Sequence, residues 1–151
     1  MDLQKSITDA TTEIFETMIM LDISAGDPLK EKINNFKCSV SGVIGLAGSC
    51  KGILAIHLPD KVAMAITGSF LGMDVTEVDD DVTDAIGELA NMVAGNIKMI
   101  LDEAGNNVTL SIPSCVHGEE YTMDTVSDSE RVVIPFDIES GQFLVELQIK
   151  N

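Results

Sequence analysis

Glu88 and Asn91 are the residues of this sequence whose types and spacing could do chemistry together. Three residues apart on a helix, they stand as neighbours on its surface. A carboxylate so placed can take a charge-assisted hydrogen bond from a cation, and a neutral amide can hold and orient a water molecule. Asp84 precedes Glu88 by about a turn and Gly95 follows Asn91 by about a turn, so all four share one face. A glycine inside a helix costs about 1 kcal/mol relative to alanine. At Gly95 it leaves a shallow spot where another backbone could approach closely, which marks the face as one prepared for a partner.

The helix that must carry this face is expected from about Val82 to Ala104. At about 100° per residue, Ile86, Leu89, Val93, Ile97 and Ile100 line up as one apolar stripe, with Asp84, Glu88, Asn91 and Gly95 almost opposite. The acidic run Glu77 to Asp81 favours its N-terminal end, and Gly105 suits its close.

Around it the pattern predicts a mixture of elements. A first helix runs from about Leu3 to Leu21 and ends in the stretch Asp22 to Lys30, which contains Gly26 and Pro28. Phe36 to Leu46 and Gly52 to Leu58 read as strands of a hairpin, and Pro59-Asp60 opens a short helix to about Leu71, capped by Gly72. Further strands are expected over Asn107 to Ile112, His117 to Met123, Arg131 to Ile138 and Phe143 to Ile149. The stretches Asp22 to Asn35 and Gly118 to Arg131 read as loops in which partner choice could reside.

An internal repeat organises these elements. Asp9 to Met18 overlays Asp84 to Val93 at a shift of 75 residues, matching Asp9 with Asp84 and Glu13 with Glu88. Val43 to Leu54 overlays Val133 to Leu144 without a gap. The expected organisation is one domain over 1–151, built from two degenerate halves of about 1–75 and 76–151. Glu16 stands in the first helix where Asn91 stands in the second, so a single acid–amide site is expected.

Composition narrows the function. With 25 acidic against 9 basic residues the net charge is −16, which repels a phosphate backbone and sets nucleic acid aside. No apolar run approaches the roughly 20 residues of a membrane span, and the N-terminus lacks a secretory pattern. The three cysteines, Cys38, Cys50 and Cys115, show no CxxC spacing and read as reduced core thiols, pointing to the cytoplasm. His57 and His117 have no ligand cluster at metal spacing, and no triad elbow or nucleotide loop is found, so no metal or cofactor is expected on this chain.

Asp84-x3-Glu88-x2-Asn91, followed 22 residues later by Pro113, resembles the consensus of the CheC, CheX and FliY phosphatases, and the run Gly87 to Asn96 is similar to CheX above all. The resemblance implies an α+β, CheC-like fold in which long helices pack on an antiparallel sheet. It also implies hydrolysis of the aspartyl phosphate of a CheY-like response regulator in chemotaxis or related two-component signalling. Glu88 and Asn91 would be the catalytic residues, with Asp84 and Gly95 contacting the partner.

An acyl phosphate already has a good leaving group, so its hydrolysis needs mainly a water held in line with phosphorus, which an amide can do. Glu88 would pair with a lysine of the receiver, and the Mg²⁺ would be the receiver's own. A homodimer is implied by the same resemblance. The alternative is a non-catalytic CheX-like module that binds a receiver domain or signalling partner, against which the intact acid–amide pair argues. Two acidic partners repel at long range, so association is expected to be faster at moderate salt.

Overall fold

The computed structural model describes residues 2–30, 33–124 and 129–150. Helix α1 spans Leu3–Ile14, with Asp2 capping it by accepting a hydrogen bond from the Lys5 amide. It continues as a π-helical turn, Phe15–Ile19, that closes at Met20 in the left-handed conformation. The first helical segment therefore ends before Leu21, and Met20 rather than the Gly26–Pro28 stretch terminates it. The next segment is not all loop: β1, Ser24–Ala25, pairs with the edge of the sheet at Phe136 and Asp137. Residues 31 and 32 of the expected 22–35 loop lie outside the described residues.

Strands β2 (Asn35–Gly48) and β3 (Lys51–Pro59) form the first hairpin, followed by α2, Asp60–Leu71, with Gly72 closing it in the left-handed region. Helix α3 spans Asp80–Glu103. Its N-cap is Asp79, whose Oδ1 accepts from the Val82 amide at 3.2 Å, and Asp80 and Asp81 occupy the first turn, where negative charge opposes the helix dipole. Strands β4 (Val108–Leu110), β5 (Ser114–Thr122), β6 (Glu130–Ile138) and β7 (Gly141–Lys150) complete the chain. Strand β5 starts directly after Pro113, earlier than the strand expected from His117 to Met123, and it takes in residues 118–122 of the stretch Gly118 to Arg131. Residues 125–128 of that expected loop lie outside the described residues.

The strands make one antiparallel sheet in the order β1-β6-β7-β3-β2, and β4 and β5 share the outer edge of β2 end to end. The hairpins β2–β3 and β6–β7 meet through β3 and β7. All three helices pack on the sheet. Between them and the strands lies an apolar core in which Ile7, Phe15, Ile44, Leu54, Ile86, Leu89 and Leu147 are essentially inaccessible to water. Phe143 stacks between Phe15 and Phe136, at centroid distances of 5.4 and 5.5 Å. The architecture is the expected α+β one of helices on an antiparallel sheet.

Helix α3 can lie close on β2 because Gly42 has no side chain beneath it. A Cβ there would come 3.0 Å from the Ile86 carbonyl oxygen and 3.2 Å from the Ala90 methyl. That contact and the apolar stripe fix how α3 is rolled on the sheet, and hence which of its residues face outward. Ile86, Leu89, Val93 and Ile97 are buried as the periodicity requires, while Ile100, near the end of the helix, is only half-buried.

Candidate active site

The roll of α3 leaves Asp84 and Glu88 exposed and Asn91 and Gly95 half-buried, all on the side away from the apolar stripe. Within a regular helix running from Asp80 to Glu103, Glu88 and Asn91 are surface neighbours. Among the described residues neither side chain is hydrogen-bonded to another group of the protein. Asn96 behaves differently: its amide donates to the Ala10 carbonyl at 3.2 Å and to Glu13 Oε2 at 3.5 Å, tying α3 to α1. One asparagine of the helix is thus structural, and the other is open to a partner.

Gly95 has open space where a side chain would stand, with no heavy atom within 4 Å. Gly87 is different, since a Cβ there would lie 3.6 Å from Pro113 Cβ. The proline that follows the acid–amide pair by 22 residues therefore returns to the same helix and forms a wall beside the face. Next to it Ile112 projects into solvent, 85% exposed. Cys115, just inside β5, is near enough to Asp84 to feel its charge. Burial first, and that negative charge second, push the thiol up to about 11 from 9.0.

The first helix does not repeat this arrangement. Glu13 lies in α1 and accepts from Asn96, whereas Glu16 falls in the π-helical turn, where the spacing of side chains departs from that of an α-helix. A concavity of 720 Å³, lined by Lys61, Met64, Met73 and their neighbours, shares no residue with the Glu88–Asn91 face. That face is an open surface suited to a macromolecule rather than a small-molecule pocket.

The matching family model is "Chemotaxis phosphatase CheX", over residues 40–137. The chain belongs to the CheX family. The CheY-P phosphatase CheX of Thermotoga maritima is 28% identical to this CheX-family chain over 109 residues, covering 72% of this chain and 70% of that protein. A CheC-like superfamily protein from Shewanella sp. PV-4 superimposes with a TM-score of 0.90 at 30% identity, with full coverage of both chains. A chemotaxis protein CheX from Desulfovibrio desulfuricans does so with a TM-score of 0.89 at 31% identity, covering 99% of this chain and 100% of that one. The CheX of a CheX–CheY–BeF3–Mg²⁺ complex from Borrelia burgdorferi shares the fold, with a TM-score of 0.86 at 23% identity, and covers 99% of each chain.

A second polar constellation was not legible in the sequence. On the sheet face away from α3, Tyr121 OH meets Ser41 Oγ at 2.7 Å, Ser41 Oγ meets His57 Nδ1 at 2.7 Å, and His57 Nε2 meets Glu146 Oε1 at 2.9 Å. Arg131 binds the other Glu146 oxygen and also donates to the Ile33 carbonyl at 2.6 Å. Phe36 stacks on the His57 ring at 4.1 Å. Ser41, His57 and Glu146 are buried, and the chain links five strands and one crossover segment, so its role is to satisfy polar groups inside the fold.

One further expectation needs adjustment. Cys50 is buried and Cys115 half-buried, but Cys38 is exposed, because the backbone turns through a left-handed φ of 46° at that residue. His117 lies 3.4 Å from Asp60 Oδ1, joining β5 to the start of α2. Among the described residues no group of three or more His, Cys, Asp or Glu is placed to hold a metal.

Proposed function

We propose that this protein hydrolyses the aspartyl phosphate of a CheY-like receiver domain, with Asn91 holding the attacking water and Glu88 fixing the docked receiver. The observation that carries the reading is the placement of an unengaged acid and amide side by side on the open face of α3, in a chain of the CheX family. The CheX of Borrelia burgdorferi forms a complex with CheY, BeF3 and Mg²⁺, and the CheX of Thermotoga maritima is a CheY-P phosphatase.

In the proposed step, the oxygen of a water held by the Asn91 amide attacks phosphorus in line with the acyl oxygen. The bond from phosphorus to that oxygen breaks, the receiver regains its carboxylate, and phosphate departs with the water's proton. Catalysis is positioning, so no strong base is required of this chain. Glu88 contributes a charge-assisted hydrogen bond to a receiver lysine, with Asp84 and Gly95 completing the contact. The Mg²⁺ that balances the phosphate charge is held by the receiver.

A homodimer in the cytoplasm belongs to the same proposal. Strand β5 pairs only with β2 among the described residues, so its outer edge is open to a second copy. Three free cysteines suit a reducing compartment. The two-halves organisation, 1–75 and 76–151, is supported by the two adjoining hairpins, each broken by a pair of turn residues.

The test is loss of phosphate from a Mg²⁺-loaded, phosphorylated CheY-type receiver, measured against the receiver's own decay. Wild-type protein should accelerate it and Asn91→Ala should abolish the acceleration. No acceleration across several receivers would refute the phosphatase reading and leave a binding module.

A further inference from the structure

We propose that Ile112 is the apolar anchor by which the Glu88–Asn91 face seats its receiver, an inference that rests on the reading of that face as the receiver-docking surface. Ile112 is the most exposed large apolar side chain among the described residues, ahead of Met20 at 74% and Met99 at 61%. Single exposed apolar residues are ordinary. What sets this one apart is how firmly it is held and where.

Both its chain neighbours are pinned. The Ser111 amide donates to the Gly45 carbonyl at 2.9 Å, Ser111 Oγ accepts from the Gly45 amide at 2.8 Å, and the same hydroxyl donates to the carbonyl of Ile112 at 2.9 Å. On the other side Pro113 rests against Gly87, about one turn from Asp84 and one turn from Asn91 on α3. A β-branched side chain with few rotamers is thereby presented to water at a set position beside the reacting pair. Rigid presentation lowers the entropy lost on binding, which is what an anchor requires.

Asp84, Glu88, Asn91 and Gly95 are polar or bare, and the exposed apolar side chain on the same stripe of α3, Met99, stands about three turns beyond Glu88. An interface of that kind needs an apolar centre within its polar rim, beside the reacting pair. With a net charge of −16, attraction to an acidic phosphorylated receiver cannot come from long-range electrostatics. Ile112 is placed to fill a shallow apolar pocket on the receiver next to its phosphorylated aspartate, setting affinity without touching the phosphate.

The experiment measures the dissociation constant for a BeF3- and Mg²⁺-loaded CheY-type receiver, together with kcat for the phosphorylated one, in wild type, Ile112→Ala, Ile112→Asp and Leu71→Asp. Leu71, 47% exposed at the end of α2, controls for loss of surface apolar area. The expected result is affinity weakened about tenfold by Ile112→Ala and further by Ile112→Asp, with kcat at saturation retained and Leu71→Asp without effect. Unchanged affinity in Ile112→Asp overturns the proposal. So does an altered oligomeric state by sedimentation with receiver binding intact, which would assign Ile112 to a contact between copies. A wild-type protein that binds the receiver without turnover would sink the phosphatase reading but leave the affinity comparison decisive for Ile112.

Discussion

The Pro113 ring rests on the α3 backbone at Gly87, its Cβ 3.6 Å from where a side chain on that residue would begin. The contact joins the start of β5 to the first half of the helix that carries Glu88 and Asn91, so the wall stands directly beside the face.

That spacing is ordinary van der Waals contact, which separates two substitutions. Gly87→Ala should fit and raise stability by up to about 1 kcal/mol through helix propensity. Gly87→Leu must push Pro113 aside and should cost about 1–3 kcal/mol, with loss of receiver affinity. Urea unfolding of the two variants checks this, and equal stabilities would show that Pro113 does not bear on the helix.

A Cβ added at Gly95 would meet nothing within 4 Å beyond its own helix, so stability and function should part company there. Gly95→Ala is expected to stabilise the protein by about 1 kcal/mol. It should weaken receiver binding, because the added methyl stands where the partner approaches. A stabilised variant with undiminished affinity would remove Gly95 from the docking surface.

Glu146 sets part of the acid limit of the fold. Burial pushes its carboxyl up, but hydrogen bonds from His57 and Arg131 outweigh this and hold it below 4.5. A carboxyl lowered in the folded state stabilises fully above its unfolded value, near 4.5, and loses that contribution as pH falls through the lower folded value. Glu146→Gln should therefore flatten the acid side of the stability profile. It should also cost about 3–5 kcal/mol near neutrality, since Arg131 keeps a charge with no counter-charge. Unfolding free energies from pH 3 to pH 7 in both proteins measure this, and parallel profiles would contradict it.

The cysteines should react in a fixed order. At pH 8 a thiol raised to about 11 is almost wholly protonated, so Cys115 should alkylate at least about tenfold more slowly than exposed Cys38. Asp84→Asn removes one of the two causes of the shift and should speed Cys115 alkylation near pH 9–10. Peptide mapping after timed iodoacetamide treatment reads both, and a Cys115 indifferent to Asp84 would mean that the two do not interact.

The sequence by itself determined α3 and what it presents. Apolar residues at three- and four-residue spacing, an Asp-rich start and Gly105 just past the end are signals contained within one helix, so Glu88 and Asn91 could be placed on its outer face without knowing the rest of the fold. The strand segments and the hairpin turns were legible for the same reason, because alternation and turn residues are local.

What the sequence could not determine involves partners distant in the chain. His57 and Glu146 are 89 residues apart and meet only because β3 pairs with β7. Pro113 reaches Gly87 only because β4 and β5 share one edge of β2 beneath α3. The two-residue strand β1 exists only because the edge of β6 is there to pair with it. Cys38 could not be recognised as exposed from its surroundings in the chain, since a single left-handed residue redirects it. Helix periodicity is a property of neighbours in sequence, while register, edges and buried polar chains are properties of the assembled sheet, and these decided what stands beside Glu88 and Asn91.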